Sequence, residues 1–128
     1  MNIIKNWFNN DGHVEMIVSD GEYIHRIIRH NTNSKLPKEI EVGINLSHSN
    51  HYVTPKVVHR QKGTTTYLLT YYNGINQFDA SQEFIYNEEM LEAHKDAEKA
   101  GLKPIFGFED VTTNEKDEIV VINVSKFK

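Results

Sequence analysis

Asn6-Trp-Phe-Asn-Asn-Asp-Gly-His-Val-Glu-Met-Ile-Val-Ser-Asp-Gly-Glu-Tyr-Ile-His-Arg-Ile-Ile28 contains two Asp-Gly pairs, Asp11-Gly12 and Asp20-Gly21, each set between runs where apolar and polar residues alternate. Asp-Gly accepts the positive φ that a two-residue hairpin turn requires, so the spacing predicts a three-stranded antiparallel meander. With turns of that kind Trp7, Met16 and His25 form one row across the sheet, and Val14, Val18, Tyr23 and Ile27 share its face. That face reads as core. The opposite face carries Glu15 and Arg26 as a cross-strand ion pair.

Downstream, residues 31–38 are turn formers and read as a loop. Ile40, Val42, Ile44 and Leu46 then alternate with Glu39, Glu41, Gly43 and Asn45, which predicts a fourth strand with one wet face. Residues 47–55 read as a polar loop, and Lys56–Gln61 with Thr64–Tyr72 as a hairpin over Lys62-Gly63. Asn73-Gly74 signals a further hairpin that runs residues 75–78 back along the preceding strand. At Asp79 the period changes from 2 to 3.6. Asp79 and Gln82 form a capping-box pattern, Tyr86, Met90, Ala93, Ala97 and Ala100 make an apolar stripe, and Gly101 is placed to end the helix. Residues 103–108 form an apolar crossover and 109–118 an acidic loop. Residues 119–124 read as a closing strand, apolar on both faces and expected inside the sheet. The fold class is α+β: an antiparallel sheet of about six strands, a meander of hairpins, with one long amphipathic helix near 81–100 and a closing C-terminal strand. Its 128 residues suit a single domain, 1–128.

Charge is segregated along the chain. Residues 25–62 carry seven Lys/Arg against two Glu and five of the seven histidines, whereas residues 79–118 carry twelve acids against four lysines. A basic stretch beside an acidic one, at a net charge of −4, argues against a long nucleic acid and for a small anion. Zero cysteines exclude disulfides, thiolate metal sites and cysteine nucleophiles. No apolar run approaches the roughly 18 residues of a membrane-spanning helix, and the N-terminus lacks a signal-peptide core, so a cytoplasmic location is expected. The abundance of Asn, Lys and Ile is the composition of a low-GC bacterium or its phage, which would make that the host cytoplasm.

Arg26, Arg29, His30, His59 and Arg60 are the candidate ligand-binding residues, with Tyr67 and Tyr71 to stack on a base. Guanidinium forks suit phosphate oxygens, and aromatic side chains among cations on a sheet suit nucleotides. His48, His51 and His59 make an alternative metal set for a metal-assisted hydrolase, although the first two fall in a loop with no fixing periodicity. No Gly-rich phosphate loop precedes a helix, no Gly-x-Ser-x-Gly elbow occurs, and His30-Asn-Thr32 is half of a two-histidine phosphoesterase motif. The expectation is therefore no catalytic residue, no resident metal and no cofactor. It is of a non-enzymatic binding protein, homo-oligomeric and not bound to membranes, that sequesters a small nucleotide-like anion, as in a phage anti-defence role. The alternative is a protein–protein inhibitor or nucleic-acid mimic acting through the acidic helix and loop 79–118.

Overall fold

The computed structural model of the chain describes residues 2–9, 13–75 and 77–122. Five antiparallel strands open it as one sheet: β1 (Asn2–Asn9), β2 (His13–Ser19), β3 (Tyr23–Asn31), β4 (Lys56–Gln61) and β5 (Thr64–Tyr72), in the order β1-β2-β3-β5-β4. Helix α1 (Lys38–Asn45) lies between β3 and β4 in sequence, and helix α2 (Ala80–Lys99) follows β5. A separate two-stranded sheet, β6 (Val111–Thr113) with β7 (Ile119–Val121), closes the described part. The class is α+β as expected, but the strands divide five and two.

The meander forms with a different register. Asn9 pairs with His13 and Trp7 with Glu15, so the first hairpin is slipped by one residue, and the turn at Asp11-Gly12 lies outside the described residues. Across the second hairpin Met16 pairs with Ile27 and Val18 with His25, a slip of two. The Trp7–Met16–His25 row is therefore not formed. Asp20 explains the longer turn: its carboxylate accepts from the backbone N–H groups of Glu22 and Tyr23 at 3.0 and 2.7 Å, an Asx turn that competes with the tighter hairpin. Gly21 supplies the positive φ, +94°.

A slip of two keeps each residue on its face, yet the face expected as core is the outer one. The sheet's core cluster is Ile28, Leu69 and Tyr71, with Ile24 and Tyr67 half-buried beside them, on the face that also holds Glu15 and Arg26. Met16 and Ile27 on the other face are half-buried, although Val18 there is buried.

Residues 38–45, expected as a strand, are helix α1. Pro37 sets the entry φ at −56°, and Glu39 and Glu41 sit in the first turn, where the helix dipole favours acids. The apolar alternation has a helical explanation, because residues two apart on a helix point about 200° apart. Ile40 enters the sheet cluster, while Val42 and Leu46 enter a second cluster with Tyr52, Tyr86, Met90, Ala93, Ala97, Phe106, Val111, Ile119 and Val121. Gly43 is buried against Val53 and Pro55, and an added Cβ there would lie 2.7 Å from the Val53 carbonyl oxygen.

Helix α2 matches its sequence signals closely, except that Ala100, expected on the apolar stripe, is its exposed C-cap. Asp79 caps it, with the Gln82 N–H donating to its carboxylate at 2.9 Å and the Asp79 N–H donating to the Gln82 side chain at 3.0 Å. Tyr86, Met90, Ala93 and Ala97 are buried, and Gly101 takes φ +82° after the helix. Strand β7 is apolar on both faces because it lies between the two clusters, Val120 in one and Ile119 and Val121 in the other. It is not inside the large sheet, and residues 123–124 of the expected closing strand lie outside the described residues. The acidic stretch 109–118 contains β6 and the turn that joins it to β7, closed by Asp117 at φ +64°.

Residues 73–75 do not fold back as a hairpin. Gly74 packs on Thr113, where an added Cβ would lie 2.5 Å from the Thr113 carbonyl oxygen, and the Ile75 N–H donates to the Thr113 hydroxyl at 3.0 Å. This contact fixes the crossing from the large sheet to the small one. Gly74→Ala is expected to lower stability by about 1–3 kcal/mol through overpacking against backbone, read as a fall in the urea midpoint with unchanged slope.

Candidate functional site

The feature of the sheet that demands explanation is a buried cation. Arg26, on β3, has a side chain 13% exposed and is enclosed by groups from three other elements. Its Nε donates to Glu15 Oε1 of β2 at 2.5 Å, and its terminal nitrogen also pairs with that oxygen. Glu39 of α1 lies 3.6 Å from the same guanidinium, and the Tyr71 hydroxyl of β5 hydrogen-bonds to it. Burial opposes the charge on Arg26, but the oxygens of Tyr71, Glu15 and Glu39 reverse that and hold its pKa above the ordinary value. Burial likewise pushes the Tyr71 hydroxyl up, against the pull of Arg26. The cluster holds one fixed positive charge against two carboxylates.

Local sequence explains the placement. Glu15 and Arg26 lie on the same face of adjacent strands and meet diagonally, since their direct partners are Ile28 and Ile17. Glu39 reaches them because Pro37 starts α1 over this face. The Glu15–Arg26 pair was legible as a cross-strand pair on the face opposite the expected core. Its burial and the contribution of Glu39 were not, because reading 39–46 as a strand removed the helix that covers it.

The seven expected ligand-binding residues do not gather in one site. Arg26 and Tyr71 meet in the cluster, and Tyr67 is half-buried on the same face. His30 is buried with its Nε2 donating towards the carbonyls of Ser34 and Lys35 at 3.0 and 3.1 Å, so it closes the 31–38 loop. Arg60 is exposed on β4, opposite Thr65. Arg29 and His59 are exposed and flank Thr66 on the outer face. The histidine set is not assembled either: His48 and His59 are exposed, whereas His51 is buried with Nδ1 2.7 Å from the Ile119 carbonyl. Among the described residues no helix is long and apolar enough to cross a membrane.

No family model matches the chain, and no curated protein matches it. It is similar in structure to the Cydia pomonella granulovirus kinase PK-1, with a TM-score of 0.57 at 12% sequence identity. The match covers 99% of this chain and 54% of the kinase chain, so the sequence spans about half the length of that protein. The likeness shows a kinase-like fold. It overturns the expectation of a small protein that sequesters a ligand, which rested on charge segregation without a fold to place it.

Removing one partner from a buried ion cluster leaves an uncompensated charge, a loss of about 3–5 kcal/mol. Arg26→Met is therefore expected to destabilise the protein by about that much in urea unfolding. Adding Glu15→Leu to it should restore most of the loss, since an apolar pair of similar volume no longer buries a lone carboxylate.

Proposed function

We propose that this chain is a kinase-like regulatory domain, in which the Arg26 cluster sets the position of helix α1 and phosphoryl transfer is not the output. The observation that carries this reading is the enclosure of Arg26. In protein kinases a lysine on the third strand pairs with a glutamate of the following helix and must also reach the nucleotide phosphates. Arg26 on β3 and Glu39 on α1 stand in the same relation. Here, however, Glu15 takes up the guanidinium from β2, with a side chain only 4% exposed. A phosphate would have to displace that buried carboxylate. Breaking such a pair costs about 3–5 kcal/mol, more than the roughly 1.5–3 kcal/mol of a hydrogen bond to a charged group.

The sequence supports the same reading. The stretch joining β1 to β2, Asn10-Asp-Gly12, has a single glycine where kinases carry a Gly-x-Gly-x-x-Gly loop. Neither His-Arg-Asp nor Asp-Phe-Gly occurs in the 128 residues, which span about half of the kinase chain they resemble.

A second reading, nucleotide binding, is favoured by the Arg26–Glu39 pair itself. One set of measurements separates the two. Incubated with labelled ATP, Mg2+ and a protein acceptor, the chain is expected to incorporate no label above the blank, and millimolar ATP is expected to leave its melting temperature unchanged. An ATP-induced rise in wild type that Arg26→Met abolishes would replace the first reading by the second. Label incorporation lost in Arg26→Met would make the protein a kinase outright.

A further inference from the structure

The turn before β4 and the middle of α2 bring together a group that the kinase-like reading does not use. His51 is 4% exposed. Its Nδ1 lies 2.7 Å from the Ile119 carbonyl oxygen, which can only accept, so Nδ1 carries the proton and donates. In the neutral ring Nε2 is then left with a lone pair. That nitrogen faces α2, 3.7 Å from Glu92 Oε1. Glu92 and Asp96 are four residues apart and share a face of the helix. One ligand atom from each of His51, Glu92 and Asp96 lies within 4.8 Å of the others.

The surroundings orient these groups as outer contacts orient metal ligands. The Ser49 hydroxyl donates to Asp96 Oδ2 at 2.7 Å and accepts from the His51 backbone N–H at 3.2 Å. The bond to one Asp96 oxygen leaves the other free. The Ile119 carbonyl holds the His51 ring in one tautomer, the arrangement found behind metal-bound imidazoles. Among the described residues no Lys or Arg pairs with Glu92 or Asp96, so two carboxylates converge on an imidazole lone pair with no cation between them.

We propose that His51, Glu92 and Asp96 form a binding site for a Zn2+ ion, with water completing the coordination. One imidazole and two carboxylates suit zinc, and their charge matches the ion's. At ligand distances of about 2.0–2.2 Å the ligand atoms of a tetrahedral ion are roughly 3.3–3.6 Å apart. Separations of up to 4.8 Å must therefore close by about 1.2–1.5 Å at most on that geometry, and Glu92, 66% exposed, is free to swing inward. The ion would fasten the 49–52 turn to α2. It shares no residue with the Arg26 cluster, so its test stands whatever becomes of the regulatory reading.

The test uses tag-free full chain stripped with EDTA, titrated with ZnCl2 in a calorimeter and melted with and without the ion. One equivalent is expected to bind and raise the melting temperature. Glu92→Gln and Asp96→Asn, which leave the buried histidine in place, should each weaken binding about tenfold or more, and Ser49→Ala about tenfold. Far-UV circular dichroism verifies that the variants fold. Absence of binding by folded wild type would overturn the site, as would unchanged affinity in both carboxylate variants, which would mean that exposed histidines hold the ion. A stronger response to Mg2+ or Ca2+ than to Zn2+ would overturn the role of the imidazole.

Discussion

Placing a guanidinium under a sheet imposes a condition on everything around it. An isolated charge taken out of water costs several kcal/mol even after relaxation, so Arg26 can stay where it is only if counter-charges are fixed beside it. Glu15 provides the first from the neighbouring strand, and this ties the register of β2 and β3 to electrostatics as well as to the turn. Glu39 provides the second from α1, and this ties the helix to the sheet. Tyr71, buried on β5, extends the network to a third strand. The apolar residues Ile28, Ile40 and Leu69 pack around these groups and exclude the water that would weaken them.

Helix α1 is consequently loaded on two sides. Ile40 and Glu39 hold it to the sheet, while Val42 and Leu46 pack into the cluster built by α2, Tyr52 and β7. Neither contact is large for a helix of eight residues, and an isolated helix so short would not persist in water. Its order derives from being held between layers. Strand β7 stands in the same position and shares the same double commitment, Val120 facing one cluster and Ile119 and Val121 the other. The Tyr52 hydroxyl, donating to the Ala93 carbonyl at 3.0 Å, and the Val121 N–H, donating to the His51 carbonyl at 2.9 Å, knit the loop before β4 into this second layer.

How much of this could be read from sequence depended on whether the signal was local. The capping box, the stripe from Tyr86 to Ala97 and the terminal Gly101 define α2 without outside help, and the β4–β5 hairpin follows from Gly63 and its flanking β-branched residues. The strands of the meander were legible, but their register was not, since Asp20 makes a side-chain turn that outweighs the Asp-Gly signal. Residues 38–45 misled because burial on two opposite sides gives a helix the period of a strand. The cluster around Arg26 was half visible: the Glu15 partnership follows from strand parity, while Glu39 required knowing that α1 is a helix. Basic residues close in sequence were spread by strand alternation, Arg29 and His59 to one face and Arg26 to the other.

Strand β4 gives the basic segment a different meaning. It is the edge of the five-stranded sheet, exposed along all six residues, with Val57 and Val58 uncovered and a break in pairing between Val57 and His59. A straight apolar edge of that length would be a template on which another chain could add a strand. The irregularity bends the ladder, and Lys56 and Arg60 on the strand, with Lys62 in the turn after it, place like charges at this edge, which opposes two copies meeting edge to edge. The cations that first suggest a ligand stand where like charge opposes edge-to-edge pairing of two open sheets.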